Sequence, residues 1–501
     1  MPNRAVPISQ TTKMTPEYEH PNPLPPLQLA ISILIQAAEG LSATVIFPFV
    51  PQFVQDTGIT GGDERKTGYW AGVLESVFFV AEFFSVYIWG RAADSFGRRP
   101  VLLLGPLGLA VSLVGFGWSK TFLGLLFWRS AQGVFNGNIG KSKIPSWDRL
   151  TSTTGVVKTV LVEISDKTNL AQAMSFVPVA WTSGTTLGPI IGGLLSEPAI
   201  RFPESFGKLK TFRDYPYLLP CAVVGLASLS IFVLGFFGLK ETLPTIRARS
   251  NQNREQTQDE TEPLIAHESP AATAASYSSV ESSAVAKNDE PPSLWELLVP
   301  DLVVPLVNYG SFCFVQTSYQ VLFPLMYSTS IENGGLGFSP YQIGVIRGIW
   351  GFLNTLFQIF LAARLIKYLG PRTTYICSFA NFAVCIGSYP LLSFLAMRAG
   401  RVDLFVWLVV VAQLTANLLV GVSYASIQLF IVRSVPRASA ISVTNSIAQM
   451  VSTILRALAP FLASALFAVS IEKNLIGGFL VYIVLLAIVF VGIWASLLLK
   501  E

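Results

Sequence analysis

The sequence of 501 residues is poor in the side chains that carry most enzyme chemistry. It has two histidines, His20 and His267, and both lie in polar segments outside any apolar run. Histidine is the commonest metal ligand and proton shuttle in proteins, so its scarcity disfavours histidine-based catalysis and zinc binding in the apolar part. No nucleophile–base pair occurs in the apolar runs. We therefore expect no enzyme activity, no metal site and no cofactor.

Cysteine and charged residues are also scarce. The cysteines Cys221, Cys313, Cys377 and Cys385 all fall within apolar runs, which predicts packing residues and not disulfides. Charged residues make up 13% of the chain, about half the share in a soluble domain, whereas 51% is hydrophobic and the mean hydropathy is +0.54. The net charge of +4 is too small to indicate nucleic-acid binding, and the lipid bilayer is the expected environment.

Apolar runs of about twenty residues, long enough to cross a bilayer, recur about twelve times in two groups of six. We predict an all-α membrane protein with twelve transmembrane helices in two six-helix pseudo-repeats, at 27–239 and 296–501. The predicted spans lie near 28–53, 69–91, 100–118, 121–140, 170–195, 216–239, 300–328, 340–368, 372–397, 403–431, 438–469 and 475–499.

Three polar segments lie outside this pattern. Residues 1–26 and 240–295 cannot bury enough apolar surface to fold, so we predict a disordered cytoplasmic N-terminus and a disordered cytoplasmic linker. Residues 141–156 form an atypical insert at the end of the fourth span. Joining Gly140 to Val157 restores a continuous pattern, so the insert is either a retained intron in the gene prediction or a genuine cytoplasmic loop.

The distribution of basic residues predicts the orientation in the membrane. Loops that hold Arg98 and Arg99, Arg372, and Arg433 alternate with loops of mixed charge, and the positive-inside rule places both termini in the cytoplasm. We expect a vacuolar or plasma membrane location. An acidic dileucine-like stretch at 260–265 is one reason to consider vacuolar sorting.

Two glycine-rich motifs occur in the first half, one in the turn after the second span and one within the fifth span. The turn after the second span reads Gly-x-x-x-Asp-x-x-Gly-Arg-Arg-Pro, and a degraded copy follows the eighth span with Lys367 in place of Asp94. In the fifth span, glycines four residues apart let helix backbones approach closely, and a proline bends the axis. The motif residues are Gly90, Asp94, Gly97, Arg98 and Arg99 in the turn, and Gly184, Gly188, Pro189, Gly192 and Gly193 in the fifth span.

Charged side chains inside the first six spans are candidate coupling residues. Arg129 in the fourth span costs about 2.5–3.5 kcal/mol to insert at mid-membrane, so it must face the interior and find a partner. Glu39, Glu75 and Glu82 are the candidate carboxylates, and Glu75 and Glu82 share a helix face because they are seven residues apart. A buried carboxylate is a usable proton carrier. The alternatives are a structural ion pair for Arg129 and neutral, hydrogen-bonded glutamates.

Polar side chains also recur on one face of two later spans. They are Asn445, Gln449, Ser452 and Arg456 in the eleventh span, and Arg347, Asn354 and Gln358 in the eighth. We predict that these side chains form walls of a central polar cavity. Hydrogen bonding between helices is the alternative.

These motifs resemble those of the major facilitator superfamily. The turn after the second span resembles its loop signature between helices 2 and 3, which gates the switch between states in that family. Gly184–Gly193 resembles the signature of the antiporter branch, and Leu126–Gly133 resembles the helix-4 motif whose arginine is linked to proton transfer. Nearly the whole chain outside the tails is similar, most of all to fungal drug:proton antiporters related to zinc-induced-facilitator-like carriers, with support from Ile46–Val50 and Glu163–Asn169.

The resemblance implies a secondary active transporter that works by alternating access, with its substrate near the midplane between the two halves. It implies proton-coupled export of a small organic molecule, drug or metal chelate. The expected partners are that substrate and protons, and we expect a monomer. The alternatives are an uncoupled facilitator and a transporter-like ligand sensor.

Overall fold

The structure is a computed structural model, and it describes residues 25–137, 157, 160–161, 164–165, 169–242, 300–434 and 441–500, apart from a few side chains within the helices. The predicted insert lies outside the described residues, as does nearly all of the predicted N-terminal tail and linker. The predicted domain division therefore stays a prediction.

Within the described residues, twelve long helices and a few short connecting ones form the molecule, and no strand occurs. The first six are α1 (Pro26–Thr44), α2 (Thr67–Phe96), α3 (Arg98–Gly117), α4 (Phe122–Asn136), α5 (Leu170–Leu195) and α6 (Leu218–Gly238). The second six are α7 (Pro300–Ser328), α8 (Pro340–Leu369), α9 (Pro371–Ala399), α10 (Leu404–Arg433), α11 (Ile441–Glu472) and α12 (Leu480–Ser496). Eight candidate spans in the described ranges are long and apolar enough to cross a membrane by length and composition.

The first predicted span is not one helix. α1 ends at Thr44, and a turn leads into a short helix, Val50–Asp56. Pro48 lies in that turn and Pro51 in the first turn of the short helix. Proline cannot donate a backbone hydrogen bond inside a helix but fits a first turn, so the predicted span 28–53 bends at this point. In α8, a π-helical turn at Gln358–Ala362 interrupts the α-helical ladder.

The two halves repeat the same packing. α1 packs against α5 as α7 packs against α11, and α3 packs against α6 as α9 packs against α12. The halves meet where α2 contacts α11 and where α5 contacts α8. This repetition confirms the predicted all-α membrane fold with two six-helix pseudo-repeats.

Contacts between the halves gather at the end that carries loops 57–66 and 329–339, which we call the closed end. The Glu64 carboxylate accepts hydrogen bonds from the Ser330 backbone N–H at 2.9 Å, the Ser330 hydroxyl at 2.7 Å and Asn333 Nδ2 at 2.8 Å. The Tyr69 hydroxyl donates to Glu472 Oε2 at 3.1 Å. Polar atoms from both halves are therefore paired with one another here.

The opposite end carries Gly97 and Gly370, and we call it the signature end. The large apolar side chains of Ile359, Phe360 and Leu361 in α8 are all exposed. Three consecutive helical positions point in three directions, so much of this turn is uncovered, while Gln358 and Ala362 keep it in contact with its neighbours.

Candidate functional site

A buried ion pair links α4 to α2 in the first half. Arg129 Nη2 lies 2.9 Å from Glu75 Oε2, and both side chains are buried. Arg129 Nη1 donates to Gln132 Oε1 at 2.8 Å, and Nη2 also approaches the Ala43 carbonyl oxygen of α1 at 3.3 Å. The guanidinium lies 4.3 Å from the centre of the Phe78 ring. The arginine therefore joins three helices and neutralises a carboxylate within the membrane.

The pair is not fully satisfied. Within the described residues, Glu75 Oε1 and Arg129 Nε have no hydrogen-bond partner. A void of about 10 Å³ between α2, α7 and the turn and short helix that follow α1 borders Glu75 and Gln320. That volume approaches the space one water molecule needs. The Glu75 carboxylate therefore combines a buried countercharge with an unsatisfied oxygen near the contact between the halves.

The other two candidate carboxylates lie in the same half. Glu82 is half-buried, and its Oε1 accepts a hydrogen bond from Asn136 Nδ2 at 3.3 Å. Glu82 and Glu75 thus both contact α4. Glu39 of α1 is buried and accepts a hydrogen bond from Gln36.

Arg456 of α11 brings a positive charge from the second half. It is half-buried and lies within electrostatic range of the Glu82 carboxylate of the first half. Ser452, one turn earlier on α11, accepts a hydrogen bond from the Cys313 thiol at 3.4 Å. Gln449 is half-buried, and the side chain of Asn445 lies outside the described residues.

The two polar residues of α8 face α10. A Cβ atom built on Gly421 of α10 would lie 2.2 Å from Gln358 Nε2 and 3.5 Å from Asn354 Oδ1. Asn354 Oδ1 has no hydrogen-bond partner in the described part of the chain. The structure therefore places both amides between α8 and α10, at the start of the π-helical turn.

The signature turn is held by a carboxylate that sequence reasoning missed. Glu241, just after α6, accepts hydrogen bonds from the backbone N–H groups of Arg98 at 2.9 Å and Arg99 at 3.1 Å. Backbone N–H groups in the first turn of α3 have no acceptor within the helix, and a negative charge at a helix N-terminus is stabilising. The only signal was one acidic residue at the end of the sixth span. The surroundings of Gly90 and the side chain of Asp94 lie outside what the structure describes.

The two arginines of the turn differ in burial. The Arg98 side chain is buried. Arg99 is half-buried and donates through Nη2 to the Phe236 carbonyl oxygen of α6. Gly97 between α2 and α3 has φ of 105°, a conformation that suits glycine, and this permits the sharp reversal.

The glycine motif of α5 is a close-packing surface. A Cβ on Gly184 would lie 2.2 Å from the Ala37 carbonyl oxygen, one on Gly188 2.2 Å from Thr44 Oγ1, and one on Gly192 1.9 Å from the Val45 carbonyl oxygen. All three contacts belong to α1 or the turn that follows it. Gly193 instead faces α8, where its added Cβ would lie 2.6 Å from Gly344 Cα. Pro189 lies inside α5 between these glycines.

The two contacts between the halves share one geometry, in which a glycine of one half packs against a proline carbonyl of the other. Sequence reasoning missed this pairing. A Cβ on Gly344 of α8 would lie 2.7 Å from the Pro189 carbonyl oxygen of α5. A Cβ on Gly72 of α2 would lie 2.9 Å from the Pro460 carbonyl oxygen of α11. Ser464 occupies the place on α11 that Gly193 has on α5. The signal was the pairing of a small residue with a proline four positions earlier in both spans.

One carboxylate cluster lies outside the spans, near the closed end. The Tyr217 hydroxyl donates to Asp56 Oδ2 at 2.6 Å, and burial, with the Asp56 carboxylate, raises the pKa of Tyr217 well above its ordinary value. Burial, with a smaller effect of Asp56, also raises the pKa of Glu197. In the described ranges, no group of three or more histidine, cysteine, aspartate or glutamate side chains that could hold a metal ion occurs.

The family described as Major Facilitator Superfamily matches residues 32–140 and 151–460. The major facilitator-type transporter psiT2 of Psilocybe cyanescens is 29% identical over 496 residues, covering 95% of this chain and 90% of the relative. Efflux pump azaK of Aspergillus niger is 27% identical, with 93% and 86% covered. Protein ZINC INDUCED FACILITATOR 1 of Arabidopsis thaliana is 27% identical, with 94% and 90% covered.

Solved structures show the same fold. The crystal structure of a D-xylose-proton symporter aligns with a TM-score of 0.63 at 14% identity, over 95% of this chain and 97% of that one. The relatives confirm the similarity to fungal efflux proteins and zinc-induced facilitators that the motifs predicted. The chain is an integral multi-pass membrane transporter and belongs to the Major Facilitator Superfamily.

Proposed function

We propose that the protein exports a small organic molecule, drug or metal chelate in exchange for protons, by alternating access between its two halves. The observation that carries this proposal is the buried Glu75–Arg129 pair, with an unsatisfied carboxylate oxygen beside a water-sized void. The relatives whose names describe efflux support export as the direction.

The pair offers a physical route to coupling. While Glu75 is ionised, its charge is balanced by Arg129 at 2.9 Å. A proton on Glu75 removes that balance and leaves the guanidinium as an uncompensated buried cation, which is costly in the membrane. Rearrangement of the helices that carry the pair relieves the cost, so that protonation and movement of the halves depend on each other.

The shape of the molecule fits substrate uptake from the signature end. The halves are joined by polar contacts at the closed end, whereas three consecutive apolar side chains of α8, at 359–361, are exposed toward the signature end. In the predicted orientation the signature end is cytoplasmic, the side from which an exporter takes its substrate.

A growth screen of cells with and without the protein, against toxic organic compounds and chelated metals, supplies the transported probe. Purified protein in lipid vesicles is then given that probe with and without a pH gradient. We expect the gradient to drive probe accumulation and Glu75→Gln to abolish that dependence while exchange without a gradient continues. Glu332→Gln is the matched control, because Glu332 is an exposed glutamate of the loop at 329–339.

The two alternatives give different outcomes. Probe flux that is indifferent to the gradient in the unaltered protein would show an uncoupled facilitator. A ligand sensor predicts no net transport in vesicles and loss of a cellular response when residues 245–290 are deleted. The carrier predicts that the same deletion leaves transport intact.

A further inference from the structure

The two halves place opposite charges at one equivalent position. Glu75 lies 22 residues before Gly97, the glycine that ends α2, and Arg347 lies 23 residues before Gly370, which ends α8. The π-helical turn in α8 adds one residue to that helix, so the two positions correspond. Gly72 and Gly344 correspond by the same count, and both contact a proline carbonyl of the other half.

The two charges differ in what surrounds them. Glu75 has the Arg129 guanidinium at 2.9 Å. Arg347 is 8% exposed and, within the described residues, makes no ion pair and no hydrogen bond. The titratable side chains that act on it are Tyr319, Tyr327 and Tyr389, and none of them carries a negative charge at neutral pH.

Aromatic rings supply the remaining contacts of Arg347. Its guanidinium carbon lies 4.4 Å from the centre of the Phe323 ring and 5.3 Å from that of Trp350. Such contacts stabilise a desolvated cation, but an aromatic ring carries no formal negative charge. Within the described residues the Arg347 guanidinium therefore has aromatic neighbours and no anionic partner in this pocket.

Two hydroxyl groups in the same cluster have no partner other than each other. The phenol groups of Tyr319 and Tyr389 lie close together, with ring centres 5.9 Å apart, and their hydroxyls approach one another. Neither hydroxyl makes a hydrogen bond to any other group in the described part of the chain. The Tyr327 hydroxyl, in contrast, donates to Gln413 Oε1 at 2.8 Å. The cluster therefore offers one cation and at least one phenol O–H donor, the complement of an oxyanion.

We propose that Arg347 binds the carboxylate or sulfonate group of an organic anion, and that this anion is a substrate of the carrier. The Phe323 and Trp350 rings would then contact a planar apolar body. This inference rests on the proposed function in one respect, that the protein carries small organic molecules. The substrate would supply to Arg347 what Arg129 supplies to Glu75 in the first half, a countercharge in the membrane.

Equilibrium binding to the purified full-length protein in detergent tests the proposal. The probes are three naphthalenes of nearly one shape: 1-naphthalenesulfonate, neutral 1-naphthalenemethanol and 1-naphthylmethylammonium. We expect saturable binding of the sulfonate, about tenfold or more tighter than binding of the cation. Arg347→Gln is expected to remove this preference, and Arg347→Lys to retain part of it, since lysine keeps the charge but not the planar fork.

Arg364→Gln is the matched control, because Arg364 is an exposed arginine of the same helix. Size-exclusion chromatography checks that each variant is folded. If Arg347→Gln does not fold, the comparison is made with Arg347→Lys. Equal affinity for the three probes, no saturable sulfonate binding, or an Arg347→Gln variant with unchanged preference would overturn the proposal. The assay uses no proton gradient, so uncoupled flux in vesicles would refute coupling and leave the anion site standing.

Discussion

The guanidinium of Arg129 and the carboxylate of Glu75 form a buried ion pair between α4 and α2, with Nη2 2.9 Å from Oε2. Removing one partner leaves the other charge buried without compensation, at a cost of about 3–5 kcal/mol. We expect Glu75→Leu and Arg129→Leu each to lower the midpoint of thermal unfolding in detergent. The double variant should recover most of the loss.

The control for this double-mutant cycle is the exposed pair of Lys500 and Asp301, whose atoms lie 2.8 Å apart. Lys500→Leu is expected to leave the unfolding midpoint unchanged, because water screens exposed charges. Additive losses in the Glu75 and Arg129 double variant would contradict the buried pair.

The glycine motif of α5 gives a prediction about packing. A Cβ at position 192 would lie 1.9 Å from the Val45 carbonyl oxygen, so Gly192→Ala forces α1 and α5 apart. We expect a loss of stability of about 1–3 kcal/mol and a lower transport rate. Gly387→Ala in α9 is the control, because no atom lies within 4 Å of its added Cβ. A Gly192→Ala variant as stable as this control would rule out the close contact.

The contact between Glu64 and the loop at 329–339 predicts a change in conformation. Glu64→Ala removes the acceptor of three hydrogen bonds from Ser330 and Asn333, so the closed end should open more often. With native cysteines replaced by serine, a cysteine at Gln320 should react severalfold faster with a charged thiol reagent. Glu332→Ala is the control variant and is labelled in the same way. Equal labelling rates in Glu64→Ala and Glu332→Ala would contradict the role of Glu64 in holding the closed end together.

Glu241 holds the start of α3. Replacement by glutamine keeps the shape but removes the charge that faces the Arg98 and Arg99 N–H groups. We expect Glu241→Gln to cost about 0.5–2 kcal/mol of stability and to slow transport, since the signature turn loses an anchor. Thermal unfolding and vesicle flux measure both effects. The exposed Glu204→Gln should alter neither, and a silent Glu241→Gln would show that the charge does not matter.

Glu197 predicts a pH dependence of stability. Burial, and to a lesser extent Asp56, raises its pKa in the folded protein, so folding favours the protonated form. Its stabilising effect is present below about pH 4.3, the unfolded value, and is lost as the pH rises through the folded value. We expect Glu197→Gln to unfold at a higher temperature than the unaltered protein at pH 7, with a smaller difference at pH 4. A difference that does not vary with pH would contradict this assignment.

The local features of the molecule could be predicted from sequence. The length of the apolar runs gives the helices, because each run must satisfy its own backbone hydrogen bonds within the hydrocarbon region. The small residues of α5 predict a close contact, and the mid-span position of Arg129 requires a buried partner. Each conclusion depends on neighbours within one or two helical turns.

Partner choice between distant residues was decided only by the tertiary structure. Glu75 and Arg129 are 54 residues apart, Glu241 and Arg98 are 143 apart, and Glu64 and Ser330 are 266 apart. Sequence reasoning offered three carboxylates for Arg129 and missed Glu241 and Glu64. It also could not show that Arg347 faces aromatic rings while its counterpart in the first half has a countercharge. Hydropathy and residue spacing determine which side of a helix is polar. Which residues of other helices contact that side is determined by how the twelve helices pack.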